Sequence, residues 1–377
     1  METYLDHNAT TPLDGRVLDE MLPYFRQCHG NPSSLYRQGR LARQAIEGAR
    51  EQVAQLVNVH PAQVIFTSGG TEANNLAIKG AIPHLKCLAV SAVEHASVME
   101  PARRMGCELI EIGVNDQGLV GQDEMRRALL TRPELVSVMM ASNETGVIQN
   151  IARLAETANA AGALFHTDAV QAAGKIDVDF AALGVQLLSL SAHKLYGPKG
   201  VGALVIDKRV ELVPQLVGGG QEQGSRSGTE NVAAIVGFGK AAELARLELQ
   251  QRRTGMELLR QRLLQQLSQM EKVVVFARQA ECLPNTVLMA VPGIDGETLL
   301  MEMDRAGLAV SSGSACDSRK VEASRTLLAM GVDEALARCA LRVSIGKDNT
   351  EQDIDAFVLV VKQQVKALQD NAMLAWA

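Results

Sequence analysis

The sequence predicts an α/β fold: a mostly parallel sheet covered by helices on both faces, followed by a smaller region of mixed strands and helices. Three observations predict it. From about residue 40 to 210, short apolar runs alternate with helical patterns. Segments of at least ~10 residues separate most of these runs, enough for the crossover helices that parallel strands need. Beyond about residue 250 the regular alternation ends, and strands and helices intermingle.

The elements follow from periodicity. A first helix is expected from Leu41 to about Val57, where Leu41, Ala45, Ile46, Ala49, Val53 and Leu56 fall on one face. Runs that read as buried strands come next: Gln63–Thr67, Cys87–Val93, Glu108–Val114, Leu135–Ala141, Leu164–Thr167, Leu187–Ser191 and Gly202–Ile206. The gap between the last two is too short for a crossover helix and suggests an antiparallel connection. Asn231 to about Leu267 reads as one or two long helices broken near Thr254-Gly255, and a domain boundary is placed near residue 250. Further strands are expected at Val273–Phe276, Thr286–Ala290, Ala309–Ser311 and Leu341–Ser344. A last helix begins at Asn349 or Thr350, with Glu351 and Asp353 in its first turn, and runs to about Gln369.

Composition narrows the class of function. The chain has 377 residues, 47% of them hydrophobic and 21% charged, which is ordinary for a globular protein. Its formal charge of −6 gives no general attraction to phosphate backbones or anionic membranes, so neither nucleic acid nor membrane is expected as a partner. No run approaches the ~18 to 20 apolar residues of a membrane span, and Met1-Glu2-Thr3-Tyr4 does not open a secretory leader. Six scattered cysteines form neither a C-x-x-C pair nor a disulfide framework, and the seven histidines show no metal-ligand spacing. The expectation is a soluble, cytoplasmic enzyme without a metal.

In an open parallel sheet, ligands bind beyond the carboxyl ends of the strands. After the first strand comes Ser68-Gly69-Gly70-Thr71-Glu72-Ala73-Asn74-Asn75. Its glycines let the backbone approach an anion at a helix N-terminus; the same residues also fit a tight turn with Thr71 as N-cap. The fifth strand ends His166-Thr167-Asp168-Ala169-Val170-Gln171, where an aspartate is most often a helix cap. The sixth ends Ser191-Ala192-His193-Lys194-Leu195-Tyr196-Gly197. Most lysines are solvated surface charges, but one at this edge is placed for desolvation and nucleophilic chemistry. An anion loop, an acid and a lysine along one sheet edge suggest pyridoxal phosphate, with the loop on the phosphate, the acid at the pyridine nitrogen and the lysine as the Schiff-base amine.

Nearly the whole chain resembles the NifS/IscS-like cysteine desulfurases of the class V, fold-type I aminotransferase superfamily. The matching segments are Tyr4-Leu5-Asp6 with Asn8 to Pro12, Gly30 to Ser34, Phe66 to Asn75, Glu94-His95, Asn143 to Gly146, His166 to Gln171 and Ser191 to Gly200. They continue through Gly218 to Glu222 with Arg226 to Asn231, Ser311 to Cys316, and Leu341-Arg342. The resemblance implies a fold-type I PLP-dependent transferase: a large domain (13–250) with a mostly parallel seven-stranded sheet, and a small α+β domain (251–377) on which residues 1–12 pack.

It also implies roles. Lys194 binds the cofactor and serves as acid–base group at the substrate's α carbon, Asp168 pairs with the pyridinium nitrogen, Gln171 contacts the phenolic oxygen, and His95 stacks on the ring and assists proton transfer. Gly70, Thr71, Ser191 and His193 bind the phosphate, with Thr229 from a second subunit, so a homodimer is implied. Asn143 and Arg342 hold the substrate carboxylate, the arginine through a bidentate pair. Cys316, in the small-residue run Ser311 to Ser318, attacks the sulfur of the cofactor-bound L-cysteine, which leaves a persulfide on Cys316 and releases alanine. The sulfur acceptor is then an iron–sulfur scaffold or a thiocofactor enzyme. His7, Gln223 and Glu322-Ala323-Ser324 depart from residues common among relatives, and the short tail ending at Ala377 fits a dedicated sulfur donor as well as a general one. The competing readings are a selenocysteine lyase, another class V aminotransferase, or a non-catalytic binding platform; the last is expected to have lost Lys194, Asp168 or His95, and all three are present.

Overall fold

A computed structural model describes residues 3–312 and 323–374, with side chains placed to residue 367. The chain enters through a short strand, β1 (Thr3–Tyr4), and then builds the large sheet from β2 (Val64–Thr67), β3 (Cys87–Ser91), β4 (Glu108–Ile112), β5 (Leu135–Ser137), β6 (Leu164–Asp168), β7 (Leu187–Ser191) and β8 (Gly202–Ile206). Their order is β2-β8-β7-β6-β5-β3-β4. The run from β7 to β4 is parallel, while β8 runs against both β7 and β2, as the short gap before Gly202 requires. Several strands end sooner than their apolar runs: β3 stops at Ser91 and β5 at Ser137. The remaining apolar residues, Met139 and Ala141 among them, leave the sheet at its carboxyl edge and line the cavity there.

Both faces are covered, which explains why the central strands are buried throughout. On one face lie the helices Gly15–Arg26, Arg37–Leu56 and Val232–Leu247, with Val17, Ile46, Val53 and Phe238 in a common core. The second of these begins at Arg37, not Leu41, because its first turn is polar and carries no apolar signal. Gly239 permits the close crossing of two of these helices, since a Cβ there would lie 2.6 Å from Ala49 Cα. On the other face Leu76 and Ile78 of the Gly70–Gly80 helix pack with Met99 of the Ala96–Arg104 helix.

One expected break moves. The long helical stretch is interrupted at Glu248, between Val232–Leu247 and Leu249–Leu267, and runs straight through Thr254-Gly255. A lone glycine costs a helix about 1 kcal/mol, too little to end one anchored at both sides. At Glu248 the carboxylate instead pairs with Arg16 at 2.5 Å and Arg252 at 2.7 Å, holding the bend. The last helix spans Glu351–Leu374, beyond the expected end near Gln369.

The second sheet comprises β9 (Val274–Val275), β10 (Thr286–Ala290), β12 (Ser311–Ser312) and β13 (Ala340–Ser344), antiparallel in the order β12-β13-β10-β9. The expected single strand Ala309–Ser311 is divided between β11 (Leu308–Ala309) and β12. β11 pairs in parallel with β1, and Leu5 enters the core formed by Val287, Leu341 and Phe357. The N-terminal segment also reaches the large sheet, with Thr11 N–H donating to the His193 carbonyl at 2.9 Å. Among the described residues no helix is long and apolar enough to cross a membrane, and no cluster of three His, Cys, Asp or Glu is placed to hold a metal.

The sheet interior carries one titration with a predictable effect. His166, buried in β6, pairs through Nδ1 with Ser137 Oγ at 2.8 Å and through Nε2 with Ser189 Oγ at 3.0 Å. Burial lowers its pKa to about 4, the Asp168 charge opposing only in part. The unfolded chain therefore takes up a proton below about pH 6.5 that the fold refuses until about pH 4. His166 thus contributes nothing against stability above pH ~6.5 and removes up to about 3 kcal/mol as the pH falls through that window. His7 and His193, also held at about 4, act in the same direction. The unfolding temperature is expected to drop between pH ~6.5 and 4, and less steeply in His166→Asn; an equal slope in the variant would assign the acid sensitivity to other groups.

Candidate active site

A cavity of about 580 Å³ opens at the carboxyl edge of the large sheet. Gly70, Thr71, His95, Asn143, Asp168, Gln171, Ser191, His193, Lys194 and Arg342 all line it. β2, β3, β5, β6 and β7 each contribute where they end, so residues distant in sequence meet at one rim.

The anion loop follows β2. Gly69, not Thr71, caps the Gly70–Gly80 helix, at φ 157°, a conformation that favours glycine. A Cβ on Gly70 would lie 2.9 Å from Val170 Cγ2 and 3.4 Å from Ser191 Cβ, so only glycine leaves this corner open. The helix's first N–H groups face the same space, and the Ser191 hydroxyl is buried there without a partner among the described residues. Glu72, the one acid of this loop, is neutralised by Arg226 at 2.9 Å. His193 shares Thr10 Oγ1 through Nδ1 at 3.1 Å, and burial, with Lys194 and Lys199 nearby, holds it at about 4. It is therefore a neutral donor at pH 7, beside two lysines that supply positive charge.

Asp168 sits buried at the end of β6. Its Oδ1 accepts the Val170 N–H at 2.9 Å, forming a turn and not a helix cap, and its Oδ2 accepts Asn74 Nδ2 at 2.7 Å. Asn74 also donates to Ser97 Oγ at 2.8 Å, which in turn lies 2.7 Å from His95 Nδ1. Because His95 Nδ1 accepts the Ser97 backbone N–H at 3.1 Å, a neutral ring carries its proton on Nε2. Burial lowers the His95 pKa, Asp168 raises it and Lys194 lowers it again, so all three groups lie within electrostatic reach. Behind them the Glu94 carboxyl points inward; its Oε1 accepts the Met139 N–H at 2.5 Å, and burial with the Asp168 charge pushes its pKa well up.

Lys194 follows β7 in a single 3₁₀ turn, Ala192–Lys194. Its amine donates to the Asn8 carbonyl and to the Ala9 carbonyl, the latter at 2.7 Å. Arg342 arrives from the small sheet, on β13. Its Nη2 pairs with Asp6 at 2.6 Å and its Nη1 donates to the Asn143 carbonyl at 3.0 Å, while Nε is buried without a partner among the described residues. The expected fork for a carboxylate is thus partly engaged within the chain, and a bidentate pair would use Nε together with an N–H released by Asp6 or Asn143.

One expected residue, Thr229, lies apart from this cavity. Thr229 is exposed and does not line it within one chain. Cys316 lies outside the described residues, as does the rest of 313–322. Sequence reasoning also assigned no role to Asn8, Asn74, Ser97 or Lys175. Asn74 was visible inside the Phe66 to Asn75 motif, but its partner Asp168 is remote in sequence, so no local pattern announces the pair.

Known proteins with this architecture agree with the geometry. The aminotransferase class-V family profile matches residues 3–357. The cysteine desulfurase IscS of Anaeromyxobacter sp. (strain Fw109-5) is 43% identical, across 98% of this chain and 94% of that protein. The cysteine desulfurase IscS of Methanosarcina thermophila is 40% identical with the same coverage. Among solved structures, the NifS-like protein from Rickettsia africae matches with a TM-score of 0.90 at 35% identity, covering 96% of this chain and 99% of that one. SspA in complex with cysteine matches with a TM-score of 0.80 at 30% identity, covering 92% and 100%. A sheet edge that gathers a lysine, an aspartate, a histidine and a glycine loop, on a chain matched over nearly its full length, belongs to the class-V aminotransferase family.

Proposed function

We infer that the protein is a pyridoxal 5′-phosphate-dependent cysteine desulfurase, converting L-cysteine to L-alanine and handing the sulfur to an acceptor. The observation that most supports this reading is the single cavity that brings Lys194, Asp168 and His95 together beside the glycine loop. The residues fit the cofactor. The corner kept open by Gly70, with an orphan Ser191 hydroxyl and helix N–H groups, suits a phosphate, and the buried carboxylate of Asp168 suits a protonated ring nitrogen. When bound, pyridoxal phosphate supplies an electron sink for charge that develops at the substrate's α carbon.

The chain's own residues do the rest. Lys194 carries the cofactor and moves the proton at the substrate's Cα. Asp168 holds a proton at the ring nitrogen, with its orientation set by Asn74 and Val170. His95 would lie against the ring and move a proton through Nε2, and Gln171 would donate to the phenolic oxygen. Gly70, Thr71, Ser191 and His193 hold the phosphate, joined by Thr229 from a second copy of the chain, which makes the enzyme a homodimer. Arg342 and Asn143 hold the substrate carboxylate.

Cys316, as a thiolate, attacks the substrate's sulfur. The new S–S bond forms as the Cβ–S bond breaks, the electron pair of the broken bond stays with the substrate carbon skeleton, and protonation there yields alanine. Support for this role comes from both flanks of 313–322. On one side β12 pairs with β13 at Arg342; on the other Ser324 and Thr326 hydroxyls donate to Glu144, beside Asn143, at 2.5 and 2.8 Å. The acceptor is an iron–sulfur scaffold or a thiocofactor enzyme. We place the large domain at 13–250 and the small domain at 251–377 with residues 1–12 packed on it, and the enzyme in the cytoplasm, where the free thiols of Cys28, Cys87, Cys107, Cys282 and Cys339 are stable.

Cys316→Ala tests the reaction class. Sulfide release and alanine formation from L-cysteine are expected to fall by roughly 10²-fold or more while the visible absorbance of the bound cofactor is unchanged. Desulfuration at the wild-type rate would remove the persulfide from the account, and a rate retained with selenocysteine alone would favour a selenocysteine lyase.

A further inference from the structure

Lys175 lies just beyond the turn that follows β6 and is 5% exposed. The charged and titratable groups that face it are Lys194, Arg342 and His7, none of them acidic. Its Nζ donates to Gln171 Oε1 at 2.7 Å and to Asn8 Oδ1 at 2.9 Å. Burial, then the charges of Lys194 and Arg342, press its pKa well down, and its N–H groups serve these two acceptors.

This bond selects one of the two orientations open to the Gln171 amide. With Oε1 on Lys175, Nε2 donates one hydrogen to the Asn8 carbonyl at 2.9 Å and retains a second. A flipped amide would set Nε2 against the Lys175 donor and Oε1 against the Asn8 carbonyl, two repulsions in a buried site. The same Asn8 carbonyl accepts from Lys194. Asn8 is itself held across the protein, its Nδ2 donating to the Asn143 carbonyl at 3.1 Å and to Thr286 Oγ1 at 2.9 Å.

We propose that Lys175 is a positioning residue that fixes the sense of the Gln171 amide, presenting an N–H to the phenolic oxygen of the bound cofactor and keeping the Asn8 carbonyl beneath Lys194. The proposal rests on the reading of the cavity as a pyridoxal phosphate site with Gln171 at that oxygen. Lys175 touches neither cofactor nor substrate, and it acts through Gln171 and Asn8.

The test is a double-mutant cycle on the full chain with Lys175→Met, Gln171→Leu and the pair. Two quantities are read that need no turnover: the pyridoxal phosphate dissociation constant by equilibrium dialysis, and the pH titration of the bound cofactor's visible absorbance. Each single variant is expected to weaken binding about tenfold and to displace the titration, and the pair to add little beyond Gln171→Leu. If Lys175→Met leaves both quantities unchanged while Gln171→Leu alters them, or if the two effects add in full, Lys175 does not act through Gln171 and the proposal is overturned. If Gln171→Leu itself alters neither, the assignment of Gln171 to the cofactor fails, and the proposal falls with it. Should circular dichroism show Lys175→Met unfolded, Lys175→Gln, too short to reach both acceptors, enters the same cycle under the same criteria.

Discussion

Lys194→Ala is expected to lower kcat for alanine formation by about 10⁴-fold or more, the largest effect of any single substitution in the site. The amine is aimed by its place on the sheet: β7 delivers the chain to the carboxyl edge, one 3₁₀ turn presents residue 194, and the carbonyls of Asn8 and Ala9 hold the nitrogen. Alanine would remove both the proposed attachment point and the group proposed to move the α proton. Arginine is no substitute, because its guanidinium stays charged at any working pH and cannot serve as a base. The proposed phosphate contacts at Gly70, Thr71 and Ser191 would remain, so pyridoxal phosphate is still expected to bind, exchangeably and with an altered absorbance. Single-turnover assays and the visible spectrum check this. A variant that turned over at a tenth of the wild-type rate would assign the proton transfer elsewhere.

Asp168→Asn is the second large effect, an expected fall in kcat of about 10²- to 10⁴-fold with the cofactor retained. The fold tolerates the change. The asparagine oxygen can keep the Val170 N–H, and its new N–H₂ faces Asn74, whose Oδ1 is buried without a partner and becomes available if that amide turns. What is lost is the negative charge, and with it, on the proposed assignment, the means of holding a proton at the ring nitrogen. His95 reports the change independently: with the Asp168 charge gone, its pKa should fall further, since that charge opposes the effects of burial and Lys194. Unchanged kcat in Asp168→Asn would mean that the ring nitrogen does not need this carboxylate.

The parts of the site legible in the sequence are those that parallel-sheet topology gathers by itself. Alternating strands and helices put Ser68 to Asn75, Asp168 and Lys194 at one edge, whatever the details of packing. Residues that come from a different sheet were not legible in this way: Arg342 sits on β13 and was reached only through the family resemblance, and Asn8, on the segment joining β1 to the first helix, was given no role. Asn74 and Lys175 act through side-chain hydrogen bonds to remote partners, which leave no periodic trace. The misplaced helix break has the same origin. Gly255 is a local signal that proved weak, whereas Glu248 is held by Arg16, more than two hundred residues away. Strand ends were overestimated because apolar side chains lining a cavity read like apolar side chains in a sheet.

Lys194 and Lys175 both present amines near Asn8, and only one of them is placed on the cavity wall. Reduction of the holoenzyme with borohydride, followed by digestion and mass mapping of the pyridoxyl group, distinguishes them directly. The account predicts the label on the peptide carrying Lys194. A label on Lys175 or on any other lysine, or none at all with the cofactor bound, would contradict it.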